Sequence, residues 1–192
     1  MKKIGLMLVI VLVSVFMVTG CGKTEYLTGK INVEIEVENY GTIAVELDAD
    51  EAPITVTNFV NLVEDGFYDG LTFHRIIDGF MIQGGDPNGD GSGGSSRTIK
   101  GEFSSNGVDN SIDHVRGVIS MARSSLPNSA SSQFFIVQED SPHLNGEYAA
   151  FGHVTSGMEI VDAICEDVQV EDTNGTVLPE NQPVITSIKV VE

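Results

Sequence analysis

Polar and apolar residues alternate along residues 32–37, with Val33, Ile35 and Val37 on one side, and again along 42–47, with Ile43, Val45 and Leu47. Period two marks a strand with one buried face, so these segments predict an antiparallel pair turning at Gly41. The period changes at Pro53, which is followed by Ile54, Val56, Phe59, Val60 and Val63, with Asp50 and Glu51 upstream and Gly66 behind. Proline in the first turn, acids at the positive end of the dipole and a terminal glycine predict an amphipathic helix. Residues 72–77 and 80–83 are short, apolar and rich in aromatic and β-branched side chains, and predict strands around Asp78 and Gly79. Residues 84–101 are dense in glycine and serine, which predicts a long loop. More strands are expected over 117–121, 133–137, 149–154 and 184–191, and a second helix over 158–166. Many short strands with two helices predict a mainly β domain, a closed or nearly closed sheet with helical caps.

The first 20 residues follow a different logic. Lys2 and Lys3 precede an uncharged apolar run over residues 4–18, which gives the positive and hydrophobic regions of an export signal and is short for a spanning helix. Val18, Thr19, Gly20 and Cys21 then resemble a bacterial lipobox, so Cys21 is expected to become the lipid-modified mature N-terminus. Each buried CH₂ of an acyl chain contributes about 0.8 kcal/mol, so two or more chains hold a protein on a bilayer. Residues 21–30 are polar and turn-rich and predict a linker, leaving 31–192 as a single domain. The expected location is extracytoplasmic, on a lipid tether.

Charge narrows the partners. The chain of 192 residues carries 28 acidic and 10 basic side chains, and removing Lys2 and Lys3 with the signal takes the net charge from −18 to −20. A surface this acidic cannot displace phosphate counterions, so nucleic acid is excluded, and anionic lipid headgroups should repel it. Membrane attachment would come from the lipid. With Cys21 acylated, Cys165 has no partner for a disulfide, and its apolar surroundings predict a buried small hydrophobe. A domain of this size builds its own core without metal or disulfide, and a monomer is expected.

The most specific material is the run Phe73, His74, Arg75, Ile76, Ile77, Asp78, Gly79, Phe80, Met81, Ile82, Gln83, Gly84, Gly85, Asp86. A second block over 117–136 reads GVISMARSSLPNSASSQFFI, and a third holds His143, Leu144, Asn145, Gly146 and Tyr148, followed by Phe151 and Gly152. Together, in this order, they resemble the cyclophilin-type peptidyl-prolyl cis/trans isomerases over residues 31–192. The resemblance implies an eight-stranded antiparallel closed β-barrel capped by two α-helices, no cofactor, and proline-containing polypeptides as partners.

It also implies roles. Arg75 would be the catalytic donor, with Gln83 holding it and His74 beside the site. Phe80, Met81, Phe135 and Leu144 would line the proline pocket. Arg123, Ser124, Ser125 and Gln133 would bind the peptide preceding proline, and one extra residue near Leu126 leaves the match among the first three open. His143 stands where the eukaryotic pattern has tryptophan, and Tyr148 replaces a pocket histidine. The first change removes an indole donor used for cyclosporin, so weak drug affinity with retained catalysis is expected. By spacing alone the pocket residues would pass for ordinary core, and Arg75 for half of a structural ion pair.

Other motifs carry less. Asp86, Asn88, Asp90 and Gly91 match the opening of an EF-hand loop, but its twelfth position is Arg97 and no helices flank it. His74, His114, His143 and His153 lack zinc-ligand spacing, and no GxSxG elbow occurs. Two functional classes remain: an isomerase assisting the folding of exported proteins, or a non-catalytic proline-peptide-binding chaperone or adhesin module. Arginine in the motif favours the first, since a pure binder needs no donor.

Overall fold

The structure, a computed structural model, describes residues 25–191. The signal expected over 1–20 and the lipid site Cys21 lie outside the described residues. Strands β1 (Lys30–Val37) and β2 (Gly41–Asp48) form the expected hairpin, with Val33 opposite Val45 and Ile35 opposite Ile43. The inward side chains of both are buried, as period two requires. Asn39, at a φ of 65°, supplies the left-handed residue of the turn, and Gly41 instead opens β2. Because β1 begins at Lys30, the linker ends one residue sooner than predicted. Its last residues are also tied down: Gly29 N–H donates to Asp50, and Leu27 N–H to Thr57 Oγ1.

Helix α1 (Pro53–Glu64) has its proline in the first turn and buries Val56, Phe59, Val60 and Val63. Its orphan amides are not met by the acids just upstream. The buried carboxylate of Glu102 reaches in from 47 residues away and accepts Thr55 N–H at 2.8 Å, Ile54 N–H at 3.1 Å and the Thr55 hydroxyl at 2.6 Å. The remaining elements are β3 (Phe73–Ile77), β4 (Met81–Gly84), β5 (Val118–Met121), β6 (Phe134–Val137), β7 (Ala150–Ser156), α2 (Met158–Asp167) and β8 (Ile185–Val191). All eight strands join one antiparallel sheet in the order β3-β4-β6-β5-β7-β2-β1-β8.

This sheet curls until its end strands meet. Thr72 bridges Val184, Phe73 N–H donates to Pro183 O at 2.9 Å, and Ile185 N–H donates to Leu71 O at 2.7 Å. The seam is thus closed by a few main-chain bonds rather than a full ladder. Inside the curl lies an aromatic core of Phe59, Tyr68, Phe73, Phe134 and Phe151, with neighbouring ring centroids 5.0 to 6.1 Å apart. Burial pushes the Tyr68 hydroxyl far above its ordinary range, and that hydroxyl donates to Ser132 O at 3.0 Å. Helix α2 covers one end and buries Cys165, whose thiol is pushed up to about 12, as suits an inert packing residue. Among the described residues no helix is long and apolar enough to cross a membrane.

Candidate active site

The central strands are apolar on both faces. In β4 and β6, Ile82, Phe134 and Ile136 enter the core, whereas Met81, Phe135 and Val137 join a second cluster on the opposite face with Val118, Leu144 and Ala150. That outer face is the floor of a cavity of about 230 Å³ lined by Arg75, Phe80, Met81, Gln83, Ala122, Arg123, Phe135, Leu144 and Tyr148. It is smaller than the roughly 300–1,000 Å³ of drug-sized sites and suits one small ring. Sheet register sets the floor out in a row, because Arg75 stands opposite Gln83, Gln83 opposite Phe135, and Phe135 opposite Ser120. Rigid strands therefore fix the spacing of these side chains.

Arg75 is held from two sides. Its Nε–H donates to the main-chain oxygen of Asn174 at 2.8 Å, and Nη1 donates to Gln83 Oε1 at 3.3 Å with Met81 Sδ 3.9 Å away. Gln83 Nε2 donates in turn to Gln133 Oε1 at 2.9 Å, and Gln133 Nε2 to the Gly91 and Gly93 oxygens at 3.1 and 2.7 Å. Each amide is oriented by its next acceptor, so the chain has one direction. Arg75 has no carboxylate in salt-bridge contact among the described residues, and its Nη2 donors have no hydrogen-bond partner there. Burial lowers its pKa, opposed by Tyr148 and Asp172, yet a guanidinium starting from 12.5 remains charged at neutral pH.

The loop over 171–176 comes from the far end of the chain and was not visible to motif reading. Asp172 accepts the amides of Asn174 and Thr176 at 2.9 and 3.1 Å, which shapes the turn that offers the Asn174 oxygen to Arg75. Gly175 sits at a φ of 80° against β3, where a methyl would overlap the Ile76 carbonyl oxygen.

His114 was also missed. Its ring is buried and stacks on Phe135 with centroids 6.0 Å apart, behind the pocket floor. Nδ1 faces the Asn145 amide oxygen at 3.2 Å and so carries the proton, and Nε2 accepts from the Ser120 hydroxyl at 3.0 Å. Nothing in its local sequence separates it from a surface histidine.

Other expected residues are distributed around the cavity. Ser124 and Gln133 line an adjoining cleft of about 240 Å³ that shares Gln83, Ala122 and Arg123 with it. The exposed Ser125 lines neither. His143 sits outside the lining with its ring 5.5 Å from Phe80. His74 does not line the apolar pocket but is buried to 95 % beside it: it borders an adjoining cleft that shares Arg75 and Gln83 with the pocket and also holds Asp90 and Asn174, and neither ring nitrogen has a hydrogen-bond partner among the described residues. A register shift between Phe73 and Arg75 breaks the alternation there. The EF-hand-like loop is tied internally, since Asp86 accepts the amides of Asn88 and Gly91 at 2.8 and 2.6 Å.

Comparison with known proteins agrees with this geometry. A family model described as "Cyclophilin type peptidyl-prolyl cis-trans isomerase/CLD" matches residues 32–190. Peptidyl-prolyl cis-trans isomerase B of Bacillus subtilis is 50% identical over 123 residues, covering 64% of this chain and 82% of that protein. A Helicobacter pylori peptidyl-prolyl cis-trans isomerase is 45% identical over 144 residues, covering 74% and 81%. The crystal structure of a Cryptosporidium parvum cyclophilin-type isomerase superposes with a TM-score of 0.75 at 34% identity, covering 85% of this chain and 99% of that one. This chain therefore belongs to the cyclophilin-type peptidyl-prolyl cis-trans isomerase family and is an enzyme of that class.

Proposed function

We propose that Arg75 catalyses rotation about X-Pro bonds by donating a hydrogen bond to the prolyl nitrogen as the bond twists. The bond is planar because that nitrogen shares its lone pair with the carbonyl, and rotation costs about 20 kcal/mol. At the twisted midpoint the nitrogen becomes pyramidal and regains its lone pair, so a donor aimed at it favours the transition state over either planar form. About 7 kcal/mol of such stabilisation corresponds to roughly 10⁵-fold in rate. Nothing covalent breaks and no proton need leave the protein.

The observation that carries the reading is the guanidinium at the cavity wall, braced by Asn174 and Gln83 and without a carboxylate in salt-bridge contact among the described residues. Its anchors are already in place, so little reorganisation accompanies the reaction. Phe80, Met81, Phe135 and Leu144 grip the proline ring. Gln83 positions Arg75 and the substrate carbonyl, and the cleft at Arg123, Ser124 and Gln133 takes the peptide preceding proline. His74 borders the cleft beside Arg75 and Gln83, and Ser125 and His143 stand at the margin.

The same proposal extends to location. The lipobox at residues 18–21 supports tethering through acylated Cys21 outside the cytoplasm, where the domain, taken as a monomer, would act on exported polypeptides as they fold. The direct test is exchange NMR of an Ala-Pro peptide with the purified chain. Accelerated exchange is expected, and binding without acceleration would favour a peptide-holding module instead.

A further inference from the structure

Arg75, Met81, Gln83 and Phe135 line the proline cavity from strands, but the rest of its wall comes from connecting segments. Leu144 and Tyr148 belong to the segment between β6 and β7, whose only regular piece is a short 3₁₀ turn, Pro142–Leu144. Irregular backbone needs tertiary pins to hold a side chain in a fixed place. Several pins lie at the start and middle of the segment: Ser141 N–H donates to His114 O at 2.7 Å, and Ser105 N–H donates to Gly146 O at 2.9 Å.

Tyr148 itself lies between two main-chain pins, Ser105 N–H to Gly146 O and Met121 N–H to Ala149 O at 3.0 Å, and the turn between them is held by the side chain of Arg123. Arg123 Nε and Nη2 both donate to the main-chain oxygen of Glu147, at 2.9 and 2.8 Å, while Nη1 turns back to Ser124 O at 2.9 Å. The guanidinium is sandwiched between two rings, 5.0 Å from the Phe103 centroid and 4.7 Å from that of Tyr148. Tyr148 in turn meets Phe135 edge-on at 5.8 Å. Arg123 is largely buried, its side chain 13% exposed, whereas the Glu147 carboxylate 3.5 Å away is more than half exposed and adds little as an ion pair. Phe103 belongs to the core and does not move with the segment.

From this arrangement we infer that Arg123 is a positioning residue that sets the width of the proline pocket by clamping the Glu147–Tyr148 backbone and ring against the core. This deepens the isomerase reading and rests on it. Most of the hydrogen bonds of Arg123 are spent on the protein's own carbonyls, so besides bordering the peptide cleft it acts on the proline ring through Tyr148. Lysine cannot replace it, because a single ammonium offers neither the two N–H groups that converge on one oxygen nor a flat face between two rings.

The test is isomerase kinetics with an Ala-Pro peptide on the full chain and on Arg123→Lys and Glu147→Gln. Arg123→Lys should raise KM by about tenfold, the scale of losing one or two charge-assisted hydrogen bonds, with kcat within about twofold. Glu147→Gln should match the parent, since the bond is to its main chain. In the parent itself, NMR should show the Arg123 Nε–H protected from solvent exchange and close to the Tyr148 ring, a readout that stands if the lysine variant fails to fold. The inference is overturned by a parent-like KM in Arg123→Lys, by a fall in kcat at unchanged KM, or by an unprotected Nε–H. An active parent with an indifferent lysine variant defeats this inference alone, whereas an inactive parent defeats the isomerase reading as well.

Discussion

An arginine at the edge of an apolar slot is costly unless its donors are occupied or used. Arg75 divides its donors: Nε and part of Nη1 are spent on Asn174 and Gln83, which sets the orientation of the donors that remain. Position 143 makes a separate test at this scale. His143 lies against Phe80 with an imidazole where an indole would offer more area and an N–H donor. Cyclosporin is therefore expected to inhibit weakly, and His143→Trp should tighten it by about tenfold, roughly the effect of one hydrogen bond with added apolar contact. Nanomolar inhibition of the parent in a drug titration would contradict this. The residues legible in the sequence are those clustered in short runs, with Arg75, Phe80, Met81 and Gln83 inside nine positions. Asn174 was illegible because it contributes only a carbonyl oxygen, which every residue has. His114 was illegible because burial of an imidazole depends on what folds over it, whereas His74 was named only through its place in the run beside Arg75.

Elements place the site through register. The row Arg75, Gln83, Phe135, Ser120 crosses β3, β4, β6 and β5, so one strand slip would turn half of it into the core. Double-sided burial explains why β4, β5 and β6 read as plain apolar runs while β1 and β2 alternated cleanly. Existence and order of all ten elements followed from pattern, and the boundaries moved by only a few residues. What pattern missed were links across long separations, such as Glu102 capping α1. The turn over 172–176 is another, and it yields a prediction. Gly175→Ala should push the turn off β3, costing about 1–3 kcal/mol of stability in denaturant titration and lowering kcat/KM about tenfold as Asn174 leaves Arg75. Unchanged kcat/KM per folded molecule would show that the turn does not brace the guanidinium.

At the scale of the molecule, two buried imidazoles link stability to pH. Burial lowers the pKa of His74, opposed by Asp86 and Asp90 and aided by Arg75, and lowers that of His114, opposed by Asn145 and Asp113 and aided by His143. Below the ordinary value of 6.5 the unfolded chain binds these protons before the folded one does. Stability is thus complete above 6.5 and declines as pH falls through it, and urea titrations on either side should show a smaller decline in His114→Gln. An equal decline would remove His114 from the explanation. The tether is tested separately: Cys21→Ser should move the protein from the membrane fraction to the soluble one and abolish incorporation of labelled palmitate, while retention of both would contradict the lipobox reading. Net charge bears on partners without knowledge of fold, whereas nothing in composition located the pocket.

The claim on which the account turns is that Arg75 acts in the transition state and not in holding the peptide. Exchange NMR on Arg75→Ala measures both quantities in one sample, the isomerisation rate at saturation and the affinity for an Ala-Pro peptide. Turnover should fall by about 10²–10³-fold, the scale of removing one preorganised donor, with Kd changed only a few-fold. Turnover equal to that of the parent, or a loss confined to affinity, would contradict it.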